Sequence, residues 1–277
     1  MCNCLVHRYL RKVLESIAMQ KPVWAAIYCT YRDESKFQRL KFMTTPFGFD
    51  FTGNKTMQNG KFEPDETSLI QQYLMNSDVF VDIGANIGYY SCLARNMGKS
   101  VIAFEPIPSN LRLLYRNLEK NGWSDVEVIP MGLAELPSVT TIYGNEAGAS
   151  LVNGWAGGSC QHQQIAVNTL DNIIGARFCG KRMLIKIDVE GVEWRVLNGA
   201  EKLLTRTPRP IWLVEITLSI HHPGVNLHFA KTFEKFWNNG YEARTADKNE
   251  RLVTPEDVGR WVSKGVIDFG GINWVFS

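Results

Sequence analysis

The chain has 277 residues, 45% hydrophobic and 21% charged, which is enough for one catalytic domain with a substantial core. Thirty Lys and Arg against 28 Asp and Glu leave a net charge of +2, which by itself indicates no polyanionic partner. The six cysteines form no CxxC pair and no regular framework, so they indicate neither a zinc knuckle nor a secreted disulfide scaffold. We therefore expect a protein of a reducing compartment, the cytoplasm.

The first predicted element is an amphipathic helix over residues 5–18. Apolar residues recur there at helical spacing, and Arg8, Arg11, Lys12 and Glu15 occupy the other face. These charges exclude a signal peptide and a transmembrane segment. The basic face could lie on an anionic membrane, but packing on its own domain or on a second copy of the chain is favoured.

An N-terminal extension over residues 1–76 is expected to precede the main domain. Residues 37–62 mix aromatic side chains with Gly, Asn and Thr, a composition typical of short strands and turns that can cap a cleft. A helix over residues 64–75 follows. Residues 77–277 are then predicted to form the main domain.

From residue 79 onward, apolar strands alternate with helices. This alternation predicts a doubly wound α/β fold with a mostly parallel, seven-stranded sheet. The predicted strands are residues 79–83, 101–104, 126–129, 183–187, 211–216 and 272–276, and the predicted helices are 89–97, 109–121, 192–204 and 229–237. Ser109 is the expected N-cap of its helix. Between the third and fourth strands, TIYG, a Gly- and Ser-rich stretch at 144–159 and QIAVNTL predict a hairpin insertion.

The segment VFVDIGANIGYYS carries the first chemical signal. Asp82 ends a buried strand, and Gly84, Ala85 and Gly88 crowd the following turn, where small residues let a ligand approach the backbone. A tight turn without a ligand would look similar. Glu105, however, ends the next strand 23 positions beyond Asp82. An acidic residue at this position hydrogen-bonds the ribose hydroxyls in doubly wound folds. Two acids at successive strand ends indicate a nucleoside.

The spacing of the glycines discriminates between nucleoside ligands. The turn reads D-x-G-x-x-x-G and lacks the G-x-G-x-x-G that seats a pyrophosphate. S-adenosylmethionine carries a sulfonium and an ammonium group and no phosphate, so Asp82 could lie near its positive end. A dinucleotide would meet a carboxylate there, and this disfavours an oxidoreductase.

Acids and histidines near the later strand ends are candidates for the reaction centre. Asp188 follows the fourth strand and Glu190 lies two residues beyond; both could instead cap the next helix. Glu215 ends the fifth strand, and His222 just after it has a suitable pKa for accepting a proton. A solvated loop histidine is the commoner outcome. We predict no metal site, since adjacent loop histidines are poor ligand evidence.

Four segments together are specific enough to name a resemblance. VFVDIGANIGYYS, AFEPIPSNLRLLYRNLEKNG, NTLDNII and LIKIDVEGVEWRVLNGA resemble the successive motifs of the FkbM family of class I methyltransferases, over residues 60–216. The resemblance implies a methionine-side loop at Asp82–Tyr89, a ribose contact at Glu105 and an adenine border at Met131-Gly132. The tip Gly148-Ala149-Ser150 also falls on family-like positions, with Ala149 departing from the usual residue.

The sequence as a whole predicts an S-adenosylmethionine-dependent O-methyltransferase. The predicted cofactor-binding residues are Asp82, Gly84, Ala85, Asn86, Gly88, Tyr89, Glu105, Pro106, Asn110, Met131 and Gly132, and the catalytic candidates are Asp188, Glu190, Glu215 and His222. The expected partner is a small-molecule or glycan acceptor such as a sugar or natural-product hydroxyl, without nucleic acid; a homo-oligomer stays open. Alternatives are a nucleic acid methyltransferase, which the sequence Asp-Val-Glu-Gly in place of an Asn/Asp-Pro-Pro-aromatic motif disfavours, and a catalytically silent scaffold.

Overall fold

The structure is a computed structural model that describes residues 37, 39–144, 148–157 and 162–277. Residues 43–277 form one compact unit, and residues 1–42 form another that lies almost wholly outside the described residues, as does the helix predicted at 5–18. The predicted domain boundary at residue 76 stays a prediction. None of the described helices combines the length and apolarity needed to cross a membrane.

The secondary structure follows the predicted alternation. In chain order, the strands β1 to β13 of the described residues are Met43–Thr44, Asp50–Phe51, Val79–Ile83, Ser100–Phe104, Glu127–Ile129, Gly132–Leu133, Ser138–Tyr143, His162–Asn168, Met183–Ile187, Ile211–Glu215, Ala243–Thr245, Leu252–Val253 and Asn273–Phe276. The helices α1 to α9 are Lys55–Gln58, Pro64–Met75, Tyr89–Asn96, Pro108–Lys120, Leu170–Ile174, Glu193–Asn198, Glu201–Leu204, Phe229–Asn238 and Pro255–Lys264.

The central sheet confirms the predicted doubly wound α/β fold. Its strand order is β12-β11-β13-β10-β9-β3-β4-β5. The five strands from β10 to β5 in that order are parallel, and β13 runs antiparallel to both of its neighbours. The sheet has eight strands instead of the predicted seven, because the two-residue strand β12 adds an edge strand.

The sheet is covered on both faces, as its apolar strands require. In β3, Val79, Val81 and Ile83 pack into one buried cluster, whereas Phe80 packs into a second cluster on the opposite face. This alternation follows from the two-residue period of a strand. It also places Asp82 on the same face as Phe80, the face that helices α2 and α3 cover.

The predicted hairpin insertion is confirmed. Strands β7 and β8 pair antiparallel from Ser138↔Val167 to Tyr143↔His162, and β6 joins β8 in parallel, giving a three-stranded sheet. Its buried residues form a small cluster with Ile107 from the loop after β4. The insertion is therefore packed against the carboxyl edge of the central sheet.

Two predicted helix boundaries are wrong. Helix α4 begins at Pro108 with Ile107 as its N-cap, so Ser109 lies within the first turn; proline suits this first position because its φ is already helical. The helix predicted over 192–204 is divided into α6 and α7 at Gly199 and Ala200. Asp171 stabilises the division, because its carboxylate accepts hydrogen bonds from two backbone N–H groups of α7.

The extension packs against the glycine turn through one asparagine. Asn117 on α4 accepts the backbone N–H of Thr52 at 2.9 Å, and its amide nitrogen donates to the carbonyl of Ile87 at 2.9 Å. Asn117 is fully buried, so both contacts are shielded from water. Residues 43–75 therefore contribute to the surroundings of the glycine turn.

Candidate active site

A cavity of about 270 Å³ opens at the carboxyl ends of β3, β4, β9 and β10. This is the edge of a parallel sheet at which doubly wound folds bind ligands. Gly84, Glu105, Asp188 and Glu215 line the cavity, each from the end of a different strand. The sheet topology thus brings together residues that are far apart in the sequence.

Gly84 is required by the geometry of the turn after β3. Its φ is +84°, and a Cβ atom built there would lie 1.8 Å from the carbonyl oxygen of Asp188. The two loops are also joined by a hydrogen bond of 3.0 Å from the Asp188 N–H to the carbonyl of Ile83. Only glycine allows the turn and the Asp188 loop to approach so closely.

Glu105 is fixed by three donors from both sides of the cavity. Oε2 accepts the N–H of Asn86 at 2.8 Å, and Oε1 accepts the N–H of Ile107 at 2.8 Å and the side-chain amide of Asn110 at 3.3 Å. Burial raises the pKa of Glu105 to about 7, and the backbone donors oppose that rise. The carboxylate is thereby oriented towards the cavity, with acceptor capacity left for ligand hydroxyl groups.

Beyond Glu105 the cavity becomes apolar. The side chains there come from the loops after β4 and β5 and from the hairpin insertion: Pro106, Ile107, Met131, Leu133, Ile142, Ala149, Leu151 and Ile165. Gly132 lies among them, and a Cβ atom there would come within 3.1 Å of the side chains of Ile165 and Val167. This slot suits a flat, uncharged ring such as a nucleobase.

The charges around the cavity fit a cationic ligand without phosphate. Five carboxyl-bearing residues line it, and the lining contributed by the described residues contains no Lys or Arg: the five are Glu63, Glu105, Asp188, Glu190 and Glu215. A pyrophosphate would be repelled by these carboxylates, whereas a sulfonium and an ammonium group would be attracted. The charges of the lining residues therefore agree with S-adenosylmethionine and disagree with a dinucleotide.

A buried lysine lies behind the acidic end. Nζ of Lys186 lies 2.8 Å from Oδ2 of Asp188 and 3.4 Å from Oε1 of Glu66, and it lies over the ring of Tyr90. Burial would lower the pKa of Lys186, but the surrounding carboxylates together raise it well above its usual value. Lys186 is thus a cation that holds Asp188 in place.

Asp82 faces the interior rather than the cavity. It is 2% exposed, and its Oδ2 accepts the hydroxyl of Ser91 at 2.5 Å. In the parallel pairing of β3 with β9 it lies opposite Lys186, so both side chains are on the same face of the sheet. Asp82 is thus a buried carboxyl group next to Lys186 in the sheet, and it is not among the residues that line the cavity.

Asp188 and Glu190 do not cap the following helix. The N-cap of α6 is Val192, and no side chain makes a capping hydrogen bond there. Glu193 instead accepts the N–H of Gly191 at 2.8 Å, and burial raises the pKa of Glu193 to about 7. Asp188 and Glu190 are therefore both available to the cavity that they line.

Trp155 from the hairpin insertion holds Glu190. Its indole nitrogen donates to Oε2 of Glu190 at 2.8 Å, and its ring leaves no room for a Cβ at Gly191, which would lie 2.3 Å away. Ser150 donates its hydroxyl to the backbone carbonyl of Glu190 at 2.5 Å. His222 packs edge-on against Trp155 with the ring centres 4.6 Å apart. The insertion is thus fastened to the loop that carries Asp188.

Glu215 has the most strongly raised pKa of the carboxyl groups that line the cavity. Burial, reinforced by the negative charge of Asp188, raises the pKa of Glu215 to about 9. Burial likewise raises the pKa of Glu190 to about 7. Within the described part of the chain, no donor lies at hydrogen-bond distance from the Glu215 carboxyl. A pKa near 7, as at Glu190, suits proton transfer near neutral pH, whereas the Glu215 carboxyl is protonated at neutral pH unless a positive charge in the cavity lowers its pKa.

The structure brings most of the predicted site residues to the cavity. Those lining it are Gly84, Asn86, Glu105, Pro106, Asn110, Met131, Gly132, Asp188, Glu190 and Glu215. Those that are not among the lining residues are Asp82, Ala85, Gly88, Tyr89 and His222. Sequence reasoning missed Glu63, Lys186 and Trp155; a lysine in an apolar strand, as in LIKID, was a signal for the second.

Comparison with known proteins finds methyltransferases. The chain matches the Methyltransferase FkbM domain over residues 82–243. It is 28% identical to the hexuronic acid methyltransferase AglP of Haloferax volcanii over 144 residues, covering 51% of this chain and 58% of that protein. It is 27% identical to Methyltransferase 1 of Beauveria bassiana over 148 residues, covering 44% of this chain and 57% of that protein. The chain thus spans less than two thirds of the length of either relative.

Among solved structures, the precorrin-6y C5,15-methyltransferase of Geobacter metallireducens is similar with a TM-score of 0.42 at 15% identity, covering 82% of this chain and 91% of that one. The strand order is that of the class I methyltransferase fold, and the family match implies S-adenosylmethionine as the cofactor. The domain match spans more than half of the chain. The chain belongs to the FkbM methyltransferase family.

The contact between Trp155 and Glu190 gives a first prediction. Trp155→Phe should lower the free energy of unfolding by about 1–2 kcal/mol at pH 8, because it leaves an ionised, mostly buried carboxylate without its donor. The loss should shrink at pH 5.5, since the pKa of Glu190 is about 7 and the group is then protonated. Urea unfolding at both pH values measures this. Trp237→Phe, distant from the cavity, is the control, and an equal loss at both pH values would contradict the assignment.

Proposed function

We propose that the chain transfers a methyl group from S-adenosylmethionine to a hydroxyl oxygen of a sugar, a glycan or a natural product. The observation that carries the proposal is the pair of carboxyl groups of Glu190 and Glu215, which share the acidic end of the cavity with Asp188. Carboxylates can orient hydroxyl groups and accept their protons. The name of the relative from Haloferax volcanii, a hexuronic acid methyltransferase, agrees with a carbohydrate acceptor but not with a neutral one, so the charge of the acceptor is inferred from the cavity alone.

We assign each part of the cofactor to a region of the cavity described above. We assign Glu105 to the ribose hydroxyls, Gly84 and Asn86 to the chain that follows the ribose, and the apolar slot around Met131 to the adenine. Asn110 keeps Glu105 in position. When bound, the cofactor supplies a methyl group that its sulfonium already activates, so the protein has mainly to align the acceptor and remove a proton.

Glu215 is the proposed proton acceptor. The acceptor oxygen would form its bond to the methyl carbon as the bond from that carbon to the sulfonium sulfur breaks, which would leave the neutral thioether S-adenosylhomocysteine. The hydroxyl proton would pass to the Glu215 carboxylate. A positive charge in the cavity lowers the pKa of nearby carboxyl groups, which favours the ionised form when the site is filled. Asp188, paired with Lys186, and Glu190, held by Trp155, are fixed partners for neighbouring hydroxyl groups.

The charge of the cavity favours a neutral acceptor. Lys186, which lies behind this end, is already paired with Asp188 and Glu66, and the described lining of the cavity contains no Lys or Arg, so an acceptor phosphate would meet mainly carboxyl groups. A nucleic acid acceptor is disfavoured for the same reason. Neutral hydroxyl compounds need only hydrogen-bond acceptors and donors, which the site supplies.

Mass spectrometry with isotopically labelled cofactor tests the proposal. The full-length chain should add one methyl group to a hydroxyl of a neutral sugar or glycan from a panel that also contains uronic acids, amines and RNA. Glu215→Gln is the catalytic control and should stop the transfer while retaining cofactor binding. Labelling of RNA or of an amine nitrogen, or no labelling despite cofactor binding, would contradict the proposal.

A further inference from the structure

We propose that Glu63, from the segment before the central domain, binds the α-ammonium group of the S-adenosylmethionine methionine moiety. The inference rests on the cofactor class alone and is independent of which acceptor is methylated. It assigns a cofactor contact to a residue outside the glycine turn and outside the matched family domain, which begins at Asp82.

The position of Glu63 is the first support. It immediately precedes helix α2, but its side chain makes no capping hydrogen bond with that helix. It lines the cavity together with Phe62, Gly84, Asn86 and Asp188. Its φ of +40° is left-handed, a conformation that costs a non-glycine residue free energy and is retained where the side chain has a use.

The hydrogen bonds of Glu63 leave one oxygen for a ligand. Oε2 accepts the hydroxyl of Tyr90 at 2.8 Å, and Tyr90 lies in the helix that follows the glycine turn. The described residues place no donor at hydrogen-bond distance from Oε1. Burial raises the pKa of Glu63, and the charge of Lys186 opposes that rise. Oε1 of Glu63 is therefore available to accept a hydrogen bond from a cation in the cavity.

Three of the other four cavity carboxyl groups are less suited to this contact, and the fourth, Glu215, is the proposed proton acceptor. Glu105 already accepts three N–H donors, Asp188 is paired with Lys186, and Glu190 is held by Trp155. Glu105 lies at the proposed ribose position and Glu190 beside the hairpin insertion, whereas Asp188 adjoins the glycine turn but has its carboxylate paired with Lys186. Glu63 instead lies beside the helix that begins at the glycine turn, which is the position expected for the methionine end of the cofactor.

Asp82 was the sequence-based candidate for the positive end of the cofactor. The structure places its carboxylate in the interior, bonded to Ser91 and facing Lys186, and Asp82 is not among the residues lining the cavity. An ammonium group could reach it only by displacing these buried contacts. Glu63 makes the contact from the open side without any displacement.

Calorimetric titration of the full-length chain with three ligands tests the assignment. S-adenosylhomocysteine carries the amine and the carboxylate, its decarboxylated analogue keeps the amine, and 5′-methylthioadenosine lacks both. Glu63→Gln should weaken the first two by about 10-fold or more, as expected for the loss of a charge-assisted hydrogen bond. The affinity for methylthioadenosine should stay within about twofold, because the nucleoside contacts remain.

Three comparison variants make the result specific. Tyr90→Phe removes the donor that orients Glu63, so it should weaken the two amine-bearing ligands by about threefold and leave the affinity for methylthioadenosine unchanged. This variant tests the proposal if Glu63→Gln fails to fold. Glu105→Gln should weaken all three ligands alike. Equal weakening of all three by Glu63→Gln, or none, would overturn the proposal. So would an amine-dependent loss seen in Asp82→Asn or Glu215→Gln but absent in the Glu63 variant.

Discussion

Replacing Gly84 by alanine is expected to abolish cofactor binding and to lower the free energy of unfolding by about 3–5 kcal/mol. The new Cβ would lie 1.8 Å from the carbonyl oxygen of Asp188, which is backbone and cannot rotate away. The φ of +84° adds a second cost, because only glycine adopts it readily. The β3 turn and the Asp188 loop would have to separate, and both line the cavity. Urea unfolding and calorimetric titration with S-adenosylhomocysteine measure the two effects.

Gly98→Ala is the matched control for this prediction. Gly98 has a similar φ of +77°, but a Cβ there would meet no atom within 4 Å. Its substitution should cost only the left-handed backbone penalty, about 1 kcal/mol, and should leave cofactor affinity unchanged. If the two variants lost equal stability, backbone conformation alone would explain the Gly84 effect. If Gly84→Ala still bound the cofactor at wild-type affinity, the turn could not be part of the cofactor site.

The fold could be predicted because its signals are local. Apolar runs such as residues 79–83 and 183–187, separated by amphipathic helices, specify a parallel sheet covered on both faces. Helix α9 was missed, although Thr254 and Asp257 form a capping box at its N-terminus. The break at Gly199 was also missed, because it depends on Asp171, which is distant in sequence.

The cofactor site could be predicted only in part, because a motif does not give the direction of a side chain. The acid that ends β4 faces the cavity, whereas Asp82, one residue before the end of β3, faces the helices. Glu105 lies just beyond the end of β4, in a loop that lines the cavity, whereas Asp82 lies inside β3 on the face that the helices cover, where the register with β9 places it beside Lys186. The buried ion pairs therefore follow from strand register rather than from the motif.

The remainder of the cavity depends on contacts between distant loops. Glu63 and Trp155 reach the cavity and its rim from the N-terminal extension and the hairpin insertion, and neither lies in a motif that indicates such a role. Glu190 interacts with Trp155 through a left-handed backbone conformation at φ +56°, which sequence patterns do not reveal for a glutamate. Residues of this kind are found only once the loops are placed.

Glu215→Gln should lower turnover by about 100-fold or more while leaving cofactor affinity within about threefold. The amide keeps the shape of the carboxyl group but cannot accept the proton of the acceptor hydroxyl. Single-turnover methyl transfer, measured together with calorimetric titration, separates the two quantities. Glu242→Gln, a glutamate exposed to solvent and paired with Arg244, is the matched control and should retain full activity.

The same substitution should stabilise the protein at alkaline pH. An unfolded glutamate ionises near pH 4.5, whereas burial raises the folded pKa of Glu215 to about 9. Between these values the folded state binds more protons than the unfolded state, so this group makes stability fall as pH rises. Removing it should flatten that slope and raise the free energy of unfolding at pH 8 by about 2 kcal/mol. Urea unfolding from pH 5 to pH 9 measures the slope. A variant that lost activity and was also less stable at pH 8 would show that Glu215 has a structural role. A buried proton acceptor lowers stability at this pH, so its removal should raise the free energy of unfolding.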